Sequence, residues 1–282
     1  MNGENFAAFI LTHGRPDRVY TLSSLKKHGY TGRVVLVVDN EDKAVDQYVS
    51  KFGDMVNVFD KKKMAESIDE ADNFNDRRAI IYARNASFEI AKKLGIEYFI
   101  QLDDDYTRFV HKRDGDQKYK ERAIWDLDAV LLEMLSFYKK TPALSIAMSQ
   151  TGDYIGGSSG KMANDPNFRK CMNSFICSTK RPFKFSGRIN EDVNTYTTLG
   201  SRGDLFLTIP DVCLQQKQTQ KNKGGMTDLY LDSGTYVKSF YSIMFHPSSV
   251  KIGVMNTANA RIHHKISWRH TVPLILPQSL KK

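Results

Sequence analysis

The chain has few of the features that mark secreted or membrane-spanning proteins. It carries 3 cysteines in 282 residues (Cys171, Cys177 and Cys213). An odd number in no CxxC spacing argues against a disulfide framework and a zinc knuckle. No apolar run approaches the roughly 18 to 20 residues that span a bilayer. The first residues, Met1-Asn2-Gly3-Glu4-Asn5, lack a basic signal-peptide region, and the apolar stretch behind them is only Phe6 to Leu11. Internal repeats and low-complexity linkers are missing too. The expectation is a soluble, cytoplasmic protein of a reducing compartment with no membrane partner. With 41% hydrophobic and 26% charged residues the chain is not disordered. Its length suits one large domain over residues 1–282.

Charge is unevenly spread. The formal net charge is +9, yet Cys213 to Lys282 holds ten Lys and Arg against two Asp and Glu. That leaves 31 basic and 30 acidic groups in the first 212 residues. The C-terminal quarter is where a polyanion would be held, although a solvated basic face is the commoner meaning of such a run. Tyr230, Tyr236, Phe240, Tyr241 and Trp268 interleave with its cations. Aromatics among cations suit nucleic acid, where base stacking adds to phosphate attraction. Tyr236, Phe240 and Tyr241 also sit at helical spacing, as core residues would.

Strands and helices alternate through the first half. Phe6 to Leu11 and Arg33 to Val38 are short continuous apolar runs bounded by turn residues, which read as buried strands of a parallel sheet. Val56 to Phe59 and Tyr98 to Leu102 read as two more strands. Helices are expected over Arg18 to His28, Ala44 to Phe52 and Arg77 to Leu94. This order implies an α/β fold with right-handed crossovers and a mostly parallel central sheet. Further on, a helix is expected over Trp125 to Lys140, and strands over Ala143 to Met148, Phe175 to Phe185 and Asp204 to Gln215. Thr151 to Lys161 reads as a mobile Gly/Ser loop, and a short helix follows Asp192. Ligands of such sheets bind beyond the carboxyl ends of the strands, where the polar clusters fall.

The sharpest of these clusters is Asp103-Asp104-Asp105, directly after an apolar strand. Three carboxylates side by side repel one another unless a cation intervenes. Mg²⁺ and Mn²⁺ prefer such oxygen ligands and keep positions open for substrate phosphates. A solvated acidic loop is the alternative.

The ordered set Thr12-His13-Gly14-Arg15-Pro16, Asp39, Ala83-Arg84-Asn85 and Gln101 to Asp105 resembles the GT-A glycosyltransferases. In that Rossmann-like fold a DxD motif holds Mn²⁺ or Mg²⁺ against the diphosphate of a nucleotide-sugar. The resemblance makes Asp103 and Asp105 the metal pair and adds Asp104 to the donor-binding set. It places Asp39 at the uracil or ribose of a UDP-sugar, Thr12 and Arg15 along the base pocket, and Arg84 near the nucleotide. Residues 1–109 would be the donor half, and 110–282 a smaller, irregular acceptor half containing the basic quarter. A cation bridging two phosphates makes the nucleoside diphosphate a better leaving group.

The resemblance carries further expectations. In inverting members a carboxylate at the stage of Asn190-Glu191-Asp192 deprotonates the acceptor hydroxyl. Asp192 matches best and Glu191 is the neighbouring alternative. A positioned carboxylate suits that task, while capping of the following helix is the structural alternative. His263 or His264 would supply a further metal ligand, with its neighbour facing away if the segment is a strand. Lys217, Lys221 and Lys223, in a basic loop, and Arg261, Lys265 and Arg269 would meet acceptor phosphates. Gly224 to Tyr241 together with Arg261-Ile262-His263-His264 resembles the phage glycosyltransferases associated with TET/JBP-type hydroxylases. That likeness implies 5-hydroxymethylcytosine in phage DNA as acceptor and the infected host's cytoplasm as location.

Other classes stay open at this point: a glycosyltransferase with a glycan or small-molecule acceptor, a sugar-phosphate nucleotidyltransferase, or a non-catalytic DNA-binding protein. The second normally carries an early Gly-rich, Lys-bearing phosphate loop, whereas Thr12 to Pro16 has one glycine and no lysine. The third leaves Asp103 to Asp105 unexplained.

Overall fold

A computed structural model describes residues 4–70, 77–164, 170–216, 226–256 and 260–271. The expected strands β1 (Phe6–Leu11), β2 (Arg33–Asp39), β3 (Val56–Phe59) and β4 (Tyr98–Asp103) all form. Between them lie helices α1 (Tyr20–Lys27), α2 (Val45–Phe52), the short α3 (Lys61–Ala65) and α4 (Ile81–Lys93). A hairpin absent from the sequence reading follows, β5 (Tyr106–Arg113) and β6 (Tyr119–Ala123). The chain continues through α5 (Leu127–Lys140), β7 (Ser145–Gln150), the one-turn α6 (Lys161–Asn164), β8 (Ser174–Ser178), α7 (Glu191–Ser201) and β9 (Phe206–Gln216). Helix α8 (Met226–Phe245) and the hairpin β10 (Val250–Asn256) and β11 (Ala260–Ile266) complete it.

Nine strands form one sheet in the order β3-β2-β1-β4-β8-β7-β9-β5-β6. Pairings within β3, β2, β1 and β4 are parallel. Only β8 and β5 run against the rest, since β8 is antiparallel to β4 and β7, and β5 to β9 and β6. The sheet is therefore mostly parallel in direction, with its reversed strands in the second half.

Alternation along β1 explains the layers. Phe6, Ala8 and Ile10 face one core with Leu22 and Leu25 of α1, Tyr48 of α2, and Leu131 and Leu135 of α5. Ala7, Phe9 and Leu11 face the other, with Tyr82 and Ile90 of α4 and Val193 and Tyr196 of α7. Burial on both faces is why β1 reads as an unbroken apolar run. Gly29 ends α1 at φ +83°, and a Cβ there would lie 2.5 Å from the Trp125 carbonyl oxygen. Only glycine lets the two segments approach so closely.

Two expectations need correction. The strand expected over Phe175 to Phe185 stops at Ser178, because Phe183 and Phe185 leave the sheet to pack as an aromatic cluster with Phe175 and Phe206. Thr151 to Lys161 is not a featureless loop. It makes two 3₁₀ turns, the first closed by a capping box between Gln150 and Asp153. Among the described residues no helix is long and apolar enough to cross a membrane.

Candidate active site

The carboxyl ends of β1, β2 and β4 carry three polar networks, each built around an aspartate. The first centres on Asp39, at the end of β2. Its Oδ2 meets His13 Nδ1 at 2.7 Å and its Oδ1 meets Lys61 Nζ at 3.3 Å. Burial alone would raise this carboxyl, but His13 and Lys61 outweigh it and hold the pKa below its ordinary value. Asp42 locks the adjoining loop by accepting from the Gly14 and Ala44 amides at 2.6 and 2.8 Å.

The second network settles the direction of Asp104, which the sequence left to strand register. Its carboxylate accepts from Thr12 Oγ1 at 2.7 Å and pairs with Arg15 Nη2 at 2.9 Å. Thr12 commits its hydrogen to Asp104, so Tyr48 donates across the 2.7 Å contact to Thr12 and accepts from the Arg15 amide at 2.8 Å. Thr12 and Arg15, expected to line a base pocket, thus spend these side-chain groups on Asp104.

The third network links the metal candidates to the second half of the chain. Arg84 is 1% exposed, and the rings of Phe175 and Phe185 lie 5.2 and 5.8 Å from its guanidinium carbon. It donates from Nη2 to Asp103 Oδ1 at 3.0 Å and from Nε to Glu191 Oε1 at 2.7 Å. Although burial disfavours its charge, Asp103 and Glu191 raise its pKa further. Arg84 is thus a buried strut between β4 and α7, with its Nη1 left without a partner among the described residues.

Asp105 differs from both its neighbours. Half-buried in the turn after β4, it makes no hydrogen bond or ion pair to another residue's side chain among the described residues, and its ionised form is favoured only by its own backbone amide and the nearby charge of Arg15. Burial pushes the carboxyls of Asp103, Asp104 and Asp105 up to about 6, with adjacent aspartates adding to the effect. One oxygen of Asp103 and both of Asp105 are thus left as hard donors, a set that fits Mn²⁺ or Mg²⁺. His263 does not join them. It lies in β11 opposite Gly253, its ring 4.2 Å from that of His264. Among the described residues no three His, Cys, Asp or Glu side chains form a group that could hold a metal.

Asp192 is buried in the first turn of α7, and burial reinforced by Glu191 raises its carboxyl well above the ordinary value. The capping alternative finds no support at Asn190. That residue occupies the cap at φ +54° but gives its amide to Lys238 O and Ser242 Oγ of α8, at 2.6 and 3.2 Å. Among the described residues Asp192 itself accepts only from its neighbour Val193 N, at 2.8 Å.

Lys170 and His264 were missed as a pair. Their only sequence signal is a lysine just before a strand that returns to the carboxyl end of β4.

Of the expected phosphate-binding residues, Lys217, Lys221 and Lys223 lie outside the described residues. Lys265 is exposed on β11 directly opposite the exposed Lys251, with Arg261 on the same strand opposite Met255. Arg269 is exposed in the turn beyond. Among the aromatics, Tyr241 is buried, and Trp268 stacks on Tyr196 at 5.9 Å with the rings tilted 14°. Tyr236 and Phe240 remain exposed. A cavity of about 810 Å³, lined among others by Leu144, Phe183, Leu199 and Asp204, opens at the opposite, amino ends of β7 and β9. The aspartate networks lie at the carboxyl ends, where α/β sheets hold their ligands.

The mostly parallel sheet, with its acidic strand end and an arginine strut to a second carboxylate pair, defines an α/β protein built to hold a ligand at that edge. Comparison makes the class specific. The family model described as TET-Associated Glycosyltransferase matches residues 6–225, and the chain belongs to that family. It is a glycosyltransferase. Comparison with curated proteins gives no match. Similar solved structures include glucosyl-3-phosphoglycerate synthase from Mycobacterium tuberculosis with Mn²⁺, UDP and phosphoglyceric acid (9% identity, 97% of this chain and 89% of that one, TM-score 0.49). A mannosyltransferase from Pyrobaculum calidifontis with GDP-Man and Mn²⁺ has 12% identity over 83% of this chain and 62% of that one, TM-score 0.45. A cytidylyltransferase from Leptospira borgpetersenii has 13% identity over 73% and 76%, TM-score 0.39.

Proposed function

We propose that the enzyme moves a sugar from a UDP-sugar to the hydroxymethyl group of 5-hydroxymethylcytosine in DNA. Family membership supports the transfer, and a single observation carries the assignment of the site: Arg84 ties the Asp103 carboxylate to the helix that bears Asp192. Donor half and acceptor half thereby meet across one buried side chain.

Asp39 binds the nucleoside, with His13 and Lys61 fixing its carboxylate. Asp103 and Asp105 would hold Mn²⁺ or Mg²⁺, which when bound neutralises charge on the departing diphosphate. Asp192 acts as general base. The acceptor oxygen forms its bond to the anomeric carbon, the bond from that carbon to the diphosphate oxygen breaks, and the acceptor's proton passes to Asp192. Its raised affinity for a proton suits a base working near neutral pH. Glu191, committed to Arg84, positions rather than reacts. The acceptor base must leave the stack or be reached through the major groove. The exposed Lys251–Lys265 pair supports a polyanionic acceptor, since like charges directly opposite each other in a hairpin repel until an anion intervenes. The infected cell's cytoplasm is the compartment such an acceptor implies.

The test is mass spectrometry of hydroxymethylcytosine-containing DNA incubated with a panel of nucleotide-sugars and Mn²⁺. A hexose or pentose mass increment on the base is the expected result. Transfer only to glycans or free small molecules would move the acceptor out of DNA. NTP turnover with pyrophosphate release would overturn the transferase reading.

A further inference from the structure

Behind Asp192 lies a lysine that no role above employs. Lys170, just before β8, is tied to β9 by Thr208 Oγ1, which donates to its carbonyl at 2.8 Å. Its Nζ lies 3.1 Å from Nε2 of His264, which is 5% exposed. Burial first, then the charges of Lys170, His263 and Lys238, push the His264 pKa down to about 2, so the ring is neutral. Lys170 donates to Nε2, which places the ring proton on Nδ1. That atom is buried with no partner among the described residues. Two further N–H groups of Lys170 have no acceptor there either, and no carboxylate of the described residues lies within 4 Å of its ammonium. Burial lowers its pKa, opposed by the more distant charges of Asp192 and Asp153 and reinforced by Lys238.

A half-buried ammonium with idle donors, its charge disfavoured by a second lysine nearby, is costly unless an anion completes it. We propose that Lys170 and His264, with Lys238 beside them, form an anion pocket that seats a phosphate of the acceptor nucleotide next to the hydroxyl facing Asp192. The inference rests on the acceptor reading above. It concerns the acceptor and not the donor diphosphate, because the Lys238 carbonyl accepts from Asn190, the cap of the helix whose first turn carries Asp192, and Asp192 is the foremost charge acting on Lys170.

The test compares 5-hydroxymethyl-deoxycytidine with its monophosphate and with a hydroxymethylated oligonucleotide, using the wild type, Lys170→Met and Lys170→Arg. The expected result is a rise of about tenfold in KM for both phosphate-bearing acceptors in Lys170→Met, the scale of one lost charge-assisted contact. KM for the free nucleoside and affinity for UDP should stay unchanged, and Lys170→Arg should recover most of the loss. An equal loss on the nucleoside, or a loss confined to UDP, overturns the proposal. If the wild type modifies none of the three acceptors, the DNA reading fails alone. Calorimetric titration of inorganic phosphate into the UDP-loaded wild type then decides. Binding that Lys170→Met removes sustains the pocket, and no binding overturns it. Unchanged circular dichroism of the variants secures each comparison.

Discussion

The proposed donor side and the proposed acceptor side of this site are built differently. At the ends of β1, β2 and β4, Asp39, Asp42 and Asp104 are each held by two or more partners, including His13, Lys61, Thr12 and Arg15. Across the Arg84 strut, and among the described residues, Asp192 accepts one bond from its own neighbour, and Lys170 and His264 rely on each other. Saturated networks hold their shape without a ligand, whereas sparsely paired buried charges gain most when one arrives. The contrast fits a donor site formed in advance and an acceptor site completed by its substrate.

Asp105 is the exception on the donor side, and changing it should have the largest effect. Asp105→Asn is expected to abolish transfer, on the order of a thousandfold or more if it removes a metal ligand. It should not lower the melting temperature, because Asp105 has no side-chain partner to lose among the described residues. Asp104→Asn should show the reverse emphasis, melting lower because Arg15 loses its counter-charge and one of the two oxygens that serve Thr12 and Arg15 becomes a donor. Thermal melts and transfer assays on the two variants check the distinction. Equal losses of stability would mean that the two carboxylates are not placed as described.

That distinction marks how far the sequence could be read. The strands of the first half were legible because burial on both faces leaves continuous apolar runs, and the strand-end rule then pointed to Asp103 to Asp105. Which way each carboxylate turns depends on register and on Thr12, 92 positions away, so it was not legible. The hairpin of β5 and β6 escaped because its strands carry polar residues throughout, as in Tyr119–Ala123, YKERA. Arg84 was picked out, but its tie to Glu191, 107 positions on, was not legible. Nothing local announces that Phe175 and Phe185 will bury its guanidinium.

Breaking the strut should uncouple the two sides. Arg84→Met leaves the buried Glu191 and the half-buried Asp103 without their cation, which should destabilise the protein by about 3 kcal/mol. Arg84→Met combined with Glu191→Gln should recover part of that loss, because one of the orphaned charges is gone. Chemical denaturation of the three proteins measures it. Additive losses in the double variant would show that the two side chains do not act as a pair.

The acceptor side is probed more gently by Asp192→Asn. Loss of a general base typically costs about a hundredfold in turnover, and donor affinity should survive because Asp192 contacts none of the strand-end networks. In the wild type, turnover should climb with pH as Asp192 loses its proton. The midpoint should lie above the ordinary carboxylate value near 4, since the folded environment raises this pKa. The asparagine variant should lack that limb. A near-normal rate, or an unchanged pH profile, would remove Asp192 from the reaction.

The smallest expected change concerns the basic quarter, where the contrast between the sides becomes one of reach. Lys217, Lys221 and Lys223 carry three of its ten cations. If they meet DNA phosphates, each contact releases counterions, and log affinity falls by about 0.9 per tenfold rise in salt for each one on a duplex. Changing all three to alanine should flatten the slope by up to roughly three such contacts. Donor affinity should be unaltered, because phosphate contacts position the acceptor without touching the nucleotide-sugar. Binding to hydroxymethylated duplex DNA, followed from low to physiological salt, gives both slopes. A slope that is the same in the variant would assign these lysines to a solvated face. The exposed pair Lys251 and Lys265 would then be the next place to look for the cations that hold the strand.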